Sequence, residues 1–309
     1  MNPSLLNWTF SCIDSSNALT EPPNDLRNTI NHIKELPPLP GIAAKIMKLA
    51  ADPLADNKKL AEIVELDPLL TTQVIRWASS SFYGYRGKIS SVQDAINRVL
   101  GYQFVFDLVL GLSALSPLNA PADGIIGTRA FWTHALASTR LMGEINNYLP
   151  SEQQFEAQTV FFVALMHNIG FPLLGDQFKY EFNTLSHLAE ANPDLSLPKL
   201  EKFAFGVDHC ELGSWLLKTW NMPIEVIDVV YHHHNPFYRG KNYQLNLLTY
   251  LSDSLLASIN IGDAHKNNVR DSVFKTFNLN PSVSSELLEK VESELDEIKS
   301  MVEICLGTE

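Results

Sequence analysis

The side chains of this 309-residue chain that could do chemistry together are histidines and one late aspartate. His134 lies in Phe131-Trp132-Thr133-His134-Ala135-Leu136, and His167 ends the apolar run Phe161 to Met166, just before Asn168-Ile169-Gly170. His209 sits in Asp208-His209-Cys210-Glu211-Leu212-Gly213, and His232-His233-His234 close a segment that opens at Pro223. Asp253 falls within the apolar stretch Leu247 to Ile261, where an unpaired carboxylate is costly. Each alone has an ordinary role as a hydrogen-bonded core histidine, a helix-terminal histidine or a solvated acid. Together, several imidazoles, a His-polar pair at a helix end and a helical Asp can converge inside a bundle to hold metal. Imidazole supplies neutral ligands, while carboxylates offset the charge of the cations.

Helical signals surround these residues, and strand alternation is scarce. Asp67-Pro68 puts a capping side chain before a proline at the first helical position, and Leu70, Val74, Trp77 and Ala78 follow at helical steps. Ser91-Val92-Gln93-Asp94 resembles a capping box, and Met222-Pro223 opens a segment with Ile224, Ile227, Val230 and Tyr231 on one face. About ten helices with short connections fit this pattern, so the predicted fold is all-α. Pro117 to Gly127 is the best internal boundary. The chain divides into a loosely ordered leader (1–25), an N-terminal helical lobe (26–120), a second helical lobe carrying the histidines (121–270) and a C-terminal extension (271–309). In that extension Leu288, Val291, Leu295, Ile298, Val302 and Cys305 form a seam, read as packing on its own domain, with a homodimer helix as the alternative. The loop aromatics Phe82, Tyr83 and Tyr85 read as packed, with a docking surface as the alternative.

Composition narrows the function. Apolar residues make up 45% and charged residues 19%, a globular balance that can bury a core without disulfides. The 35 acids and 23 bases leave a net charge of −12, which opposes phosphate attraction and argues against nucleic acid as a partner. Cys12, Cys210 and Cys305 form no CxxC pair, as suits a reducing compartment. No signal peptide opens the chain, and the longest apolar stretches, such as Phe104 to Leu118, are interrupted by Asp107, Ser113 and Ser116. A cytoplasmic protein without a membrane partner is expected. Phosphate-cradling glycine loops and a serine-hydrolase elbow are missing from the sequence.

The succession His134, then His167-Asn168-Ile169-Gly170, then Asp253 resembles the H…HD…D pattern of HD-superfamily phosphohydrolases. The first half narrows the match. Leu36-Pro37-Pro38-Leu39-Pro40, Ile63-Val64-Glu65-Leu66-Asp67-Pro68, Arg76-Trp77-Ala78-Ser79-Ser80, Phe82-Tyr83-Gly84 and Ile89 to Ile96 are together similar to the HDOD domain, a bacterial signalling relative of those hydrolases. The resemblance implies an HD-like helical bundle and a signalling or interaction role, with signalling proteins as partners. It also implies His134, His167 and Asp253 as metal ligands, with Asn168, His209 and His233 as further pocket residues.

The departures bear on activity. Asn168 stands where the hydrolases have Asp, and a neutral amide is a poorer ligand that bridges two cations badly. Phe171 stands where cyclic-dinucleotide-cleaving relatives carry Lys, and their Gly-Tyr-Pro signature is missing after His234. The expectation is a regulatory protein acting through protein or ligand binding, without efficient catalysis and without a cofactor. The alternative is a phosphohydrolase holding iron, manganese or zinc and acting on a nucleotide or cyclic-dinucleotide phosphoester.

Overall fold

The computed structural model describes residues 36–80, 83–264 and 269–307. The leader and Phe82 lie outside them. Every regular element among the described residues is helical. The expected all-α class holds, with helices more numerous and shorter than the ten or so anticipated. In order they are α1 (Gly41–Ala50), α2 (Asn57–Val64), α3 (Pro68–Ser79), α4 (Val92–Ala95) with a π turn over Ile96–Leu100, α5 (Tyr102–Leu115), α6 (Thr128–Tyr148) and α7 (Ala157–Met166). Then follow α8 (Gly170–Gln177), α9 (Lys179–Ala191), α10 (Leu197–Phe205), α11 (His209–Thr219), α12 (Ile224–His232), α13 (Tyr243–Ser258), α14 (Asp271–Thr276), α15 (Val283–Ser293) and α16 (Leu295–Leu306).

The starts are set by local chemistry. The Asp67 carboxylate accepts the backbone N–H groups of Leu69 and Leu70, and Pro68 gives up no hydrogen bond at the first helical position. Ser91 caps α4 through the Asp94 N–H, but the Asp94 carboxylate turns to the Ser90 hydroxyl at 2.7 Å, so the expected box is not reciprocal. The reciprocal box is instead at Asp208 and Glu211, at the start of α11.

The long helix α6 runs through the middle of the bundle, against α7, α13, α15 and α16. The C-terminal seam is broken at Glu294 into α15 and α16 rather than forming one helix. Val291, Ile298, Met301 and Val302 are buried within the chain, and the Gln73 amide donates to the carbonyls of Ile304 and Cys305. Arg140 on α6 grips both carboxylate oxygens of Glu294, at 2.6 and 2.8 Å, and Lys290 donates to Glu144 at 3.0 Å. The seam is thus spent on its own chain.

Ala157–Gln177 has span-like length and a mean hydropathy of 1.4, more than the sequence reading allowed for any stretch. It turns after Met166, and 78% of its window is buried inside the protein, which makes it core.

Asp107 is buried on α5, with the Gln103 amide donating to its carboxylate at 3.2 Å. Burial pushes its carboxyl up to about 7, with Gln103 partly opposing. The folded chain therefore holds an extra proton between the ordinary carboxylate range and about pH 7, and its stability falls as pH rises through that window. Asp107→Asn is expected to remove this fall and to be about 2 kcal/mol more stable than wild type above the window. Urea denaturation on both sides of it reads the effect, and equal pH slopes in the two proteins would contradict it.

Candidate functional site

Helix ends and one loop bring the candidate residues together. His134 comes from the inner face of α6, His167 and Asn168 from the turn between α7 and α8, and Asp253 from α13. His209 opens α11, and His233 and His234 follow α12. Two glycines permit the approach. A Cβ on Gly170 would stand 2.0 Å from the His209 carbonyl oxygen. Gly262, at φ +93°, lies where a Cβ would come within 2.8 Å of the His134 ring.

His134, His167 and Asp253 converge. Asp253 Oδ1 lies 3.3 Å from His134 Nε2 and 3.5 Å from His167 Nε2, with all three side chains buried. His167 Nδ1 donates to the Ala164 carbonyl at 2.8 Å, so its Nε2 presents a lone pair to the carboxylate. Burial lowers the His167 pKa, which keeps the ring neutral. Nε2 of both rings, both Asp253 oxygens and Asn168 Oδ1 are buried without a hydrogen-bond partner. His167 Nε2, the Asp253 oxygens and Asn168 Oδ1 are acceptors that are costly to leave unsatisfied, and their chemistry fits a divalent cation.

Asn168 acts as a double donor. Its amide nitrogen donates to His134 Nδ1 at 3.0 Å and to Asp263 Oδ1 at 2.9 Å. Donation to Nδ1 leaves the ring proton of neutral His134 on Nε2, the atom that faces Asp253. Asn168 thus meets His134 Nδ1 and Asp263 Oδ1 with hydrogens, where a carboxylate would call for a cation.

His209 and His233 form a second group beside the first. The Nε2 atoms of His209 and His233 are 3.3 Å apart, and His234 Nε2 is 3.2 Å from that of His209. Burial, and then the neighbouring His234, His167 and His209 rings, hold His233 well below its ordinary pKa. Burial pushes the Cys210 thiol up to about 12, so this sulfur beside His209 stays protonated.

Two site residues escaped the sequence reading. Asp263, in the loop after α13, joins both groups through Asn168 and through His234 Nε2 at 2.8 Å. Burial opposes its ionisation, yet the His234, His209 and His134 rings outweigh that and hold its carboxyl well below the usual range. Glu201, on α10 and fully buried, accepts the His209 backbone N–H at 3.2 Å and pairs with its Nδ1 at 2.7 Å. Glu201→Leu would strand both groups, with an expected loss of about 2–3 kcal/mol in urea denaturation. A loss under about 0.5 kcal/mol would contradict that role.

Access is narrow. The Phe171 ring stacks on His209 with centroids 4.0 Å apart. A cavity of about 30 Å³ reaches His134, Asn168 and Asp263, room for a water or an ion. It continues into an open groove of about 790 Å³ that shares Ile125, Ile126 and Gly262 with it. The described walls of the groove carry Asp123, Glu190, Asp194 and Asp263 against one cation, Arg129, which pairs with Glu303.

The HDOD domain profile matches residues 36–236. An uncharacterized protein of Treponema pallidum (strain Nichols) is 21% identical over 216 residues, covering 69% of this chain and 40% of the relative. The chain thus spans well under half of that protein. A solved protein of Marinobacter aquaeolei VT8, provisionally named for signal transduction, superposes with a TM-score of 0.79 at 27% identity, over 98% of this chain and 66% of the other. One of Shewanella amazonensis SB2B, provisionally named a phosphohydrolase, shares the fold at a TM-score of 0.69 and 18% identity, over 90% and 97% of the two chains.

Proposed function

The chain belongs to the HDOD domain family, and on that premise we propose a regulatory protein of signal transduction that acts by binding and does not turn over phosphoesters efficiently. The provisional name of the Marinobacter relative supports a signalling context. The observation that carries the reading is the burial of His167 and Asp253, which line neither the 30 Å³ cavity at His134 and Asn168 nor the groove beyond it, so a phosphoester in the groove does not reach them. Asn168 adds to it, because its amide occupies both His134 and Asp263 as a donor.

The site retains a cation-binding capacity in this reading. His167 and Asp253 would hold one divalent cation, with His134 as the third ligand once its Nε2 is free. Such an ion, when bound, polarises a phosphoryl oxygen and acidifies a coordinated water. Those same orphaned acceptors favour the second reading, a metal-dependent phosphohydrolase.

Hydrolysis assays separate the two readings. Purified protein with iron, manganese or zinc is expected to release no product from cyclic dinucleotides or nucleoside phosphates above the His167→Ala level. Turnover at an enzyme-like rate that His167→Ala abolishes would establish the phosphohydrolase instead.

A further inference from the structure

Away from the histidines, a half-open cavity of about 250 Å³ lies where α3, α5, α6, α7 and α16 meet. Four aromatic residues, Trp77, Tyr83, Phe104 and Phe161, stand in its wall. Phe104 is the hub, with ring centroids 6.5 Å from Trp77, 5.7 Å from Tyr83 and 4.5 Å from Phe161. The Trp77 indole N–H donates to the Tyr83 hydroxyl at 3.0 Å, which satisfies the donor and fixes the two rings against each other. Arg140, fixed by both oxygens of Glu294, forms part of the rim.

Gly143 supplies an independent observation. It lies in the middle of the 21-residue helix α6, where glycine is disfavoured relative to almost any other residue. Its φ is not positive, and a Cβ built there meets no atom within 4 Å. Neither backbone conformation nor close packing therefore explains the glycine. What its bare Cα does is leave the cavity open on the α6 side.

We infer that this cavity is a binding site for a small planar aromatic molecule, stacked against the half-buried rings of Phe104 and Phe161. Rings at mixed angles offer face and edge contacts that a flat π system matches and a puckered one does not. The volume suits a ligand of one or two fused rings. Ile298 and Met301 of α16 close one side, so the occupant would touch the C-terminal hairpin together with α6, the helix that carries His134. The inference goes beyond the reading of the His/Asp groups and does not depend on it.

Indole and adenine serve as planar probes for the full chain, and cyclohexanol as a puckered probe of similar size, with binding followed by calorimetry. At least one planar probe is expected to saturate at one per chain and cyclohexanol to bind at least tenfold more weakly. Gly143→Leu, which fills the space, is expected to weaken the planar probe at least tenfold while leaving the urea midpoint equal or higher. Phe104→Leu keeps the apolar wall, removes the ring and provides the same test should Gly143→Leu not fold. No saturable planar binding by wild type, equal binding of cyclohexanol, or undiminished binding by the folded variants would each overturn the inference.

Discussion

Asp253→Ala is expected to abolish the response of the protein to added manganese or zinc, and so to lower its unfolding free energy in saturating metal by about 2.7 kcal/mol. Asp253 is buried between two imidazole nitrogens at 3.3 and 3.5 Å, and neither of its oxygens has a hydrogen-bond partner. In the wild type a bound cation would satisfy these acceptors at once, and metal at a hundred times its dissociation constant would add about 2.7 kcal/mol of stability. Without the carboxylate, the two rings face a hole with nothing to offset a dication. Urea denaturation with and without metal gives both numbers. A variant that metal still stabilises would place the cation elsewhere, and a loss below about 1 kcal/mol would mean that the carboxylate holds nothing together.

Asn168→Asp has the second large effect, with opposite signs in two conditions. In chelator, a second carboxylate would replace an amide that donates to Asp263 Oδ1 at 2.9 Å. Two like charges at that separation, with two hydrogen bonds lost, are expected to cost about 3 kcal/mol. With metal present the same change should help. A carboxylate accepts from His134 Nδ1, which frees Nε2 as a ligand, and it supplies the charge that the amide lacks. Cation affinity is expected to rise at least tenfold, measured by titration calorimetry of metal-stripped protein. Unchanged affinity would show that His134 and His167 do not act on one ion.

Much of this was legible in the sequence because it depends on local patterns. Asp67-Pro68 and the steps that follow identify α3, and the order of His134, His167 and Asp253 places three residues of one site. Asp263 and Glu201 were not legible for physical reasons. Gly262-Asp263 follows a helix end, where Asp is common in turns, and only the tertiary fold brings it to His234. Glu201 stands between Leu200 and Lys202 in an amphipathic segment whose lysines suggest solvent, yet His209 draws it fully inside. The heptad-like seam likewise did not reveal its break at Glu294, which Arg140 holds from another helix.

The most direct test is the metal bound by untagged, metal-stripped protein after equilibration with iron, manganese or zinc and dialysis, read by elemental analysis. About one equivalent per chain in the wild type, firmer retention in Asn168→Asp and none in Asp253→Ala is the predicted result. Wild type and Asn168→Asp both emerging empty would contradict the account, because the buried histidines and Asp253 would then form no cation site.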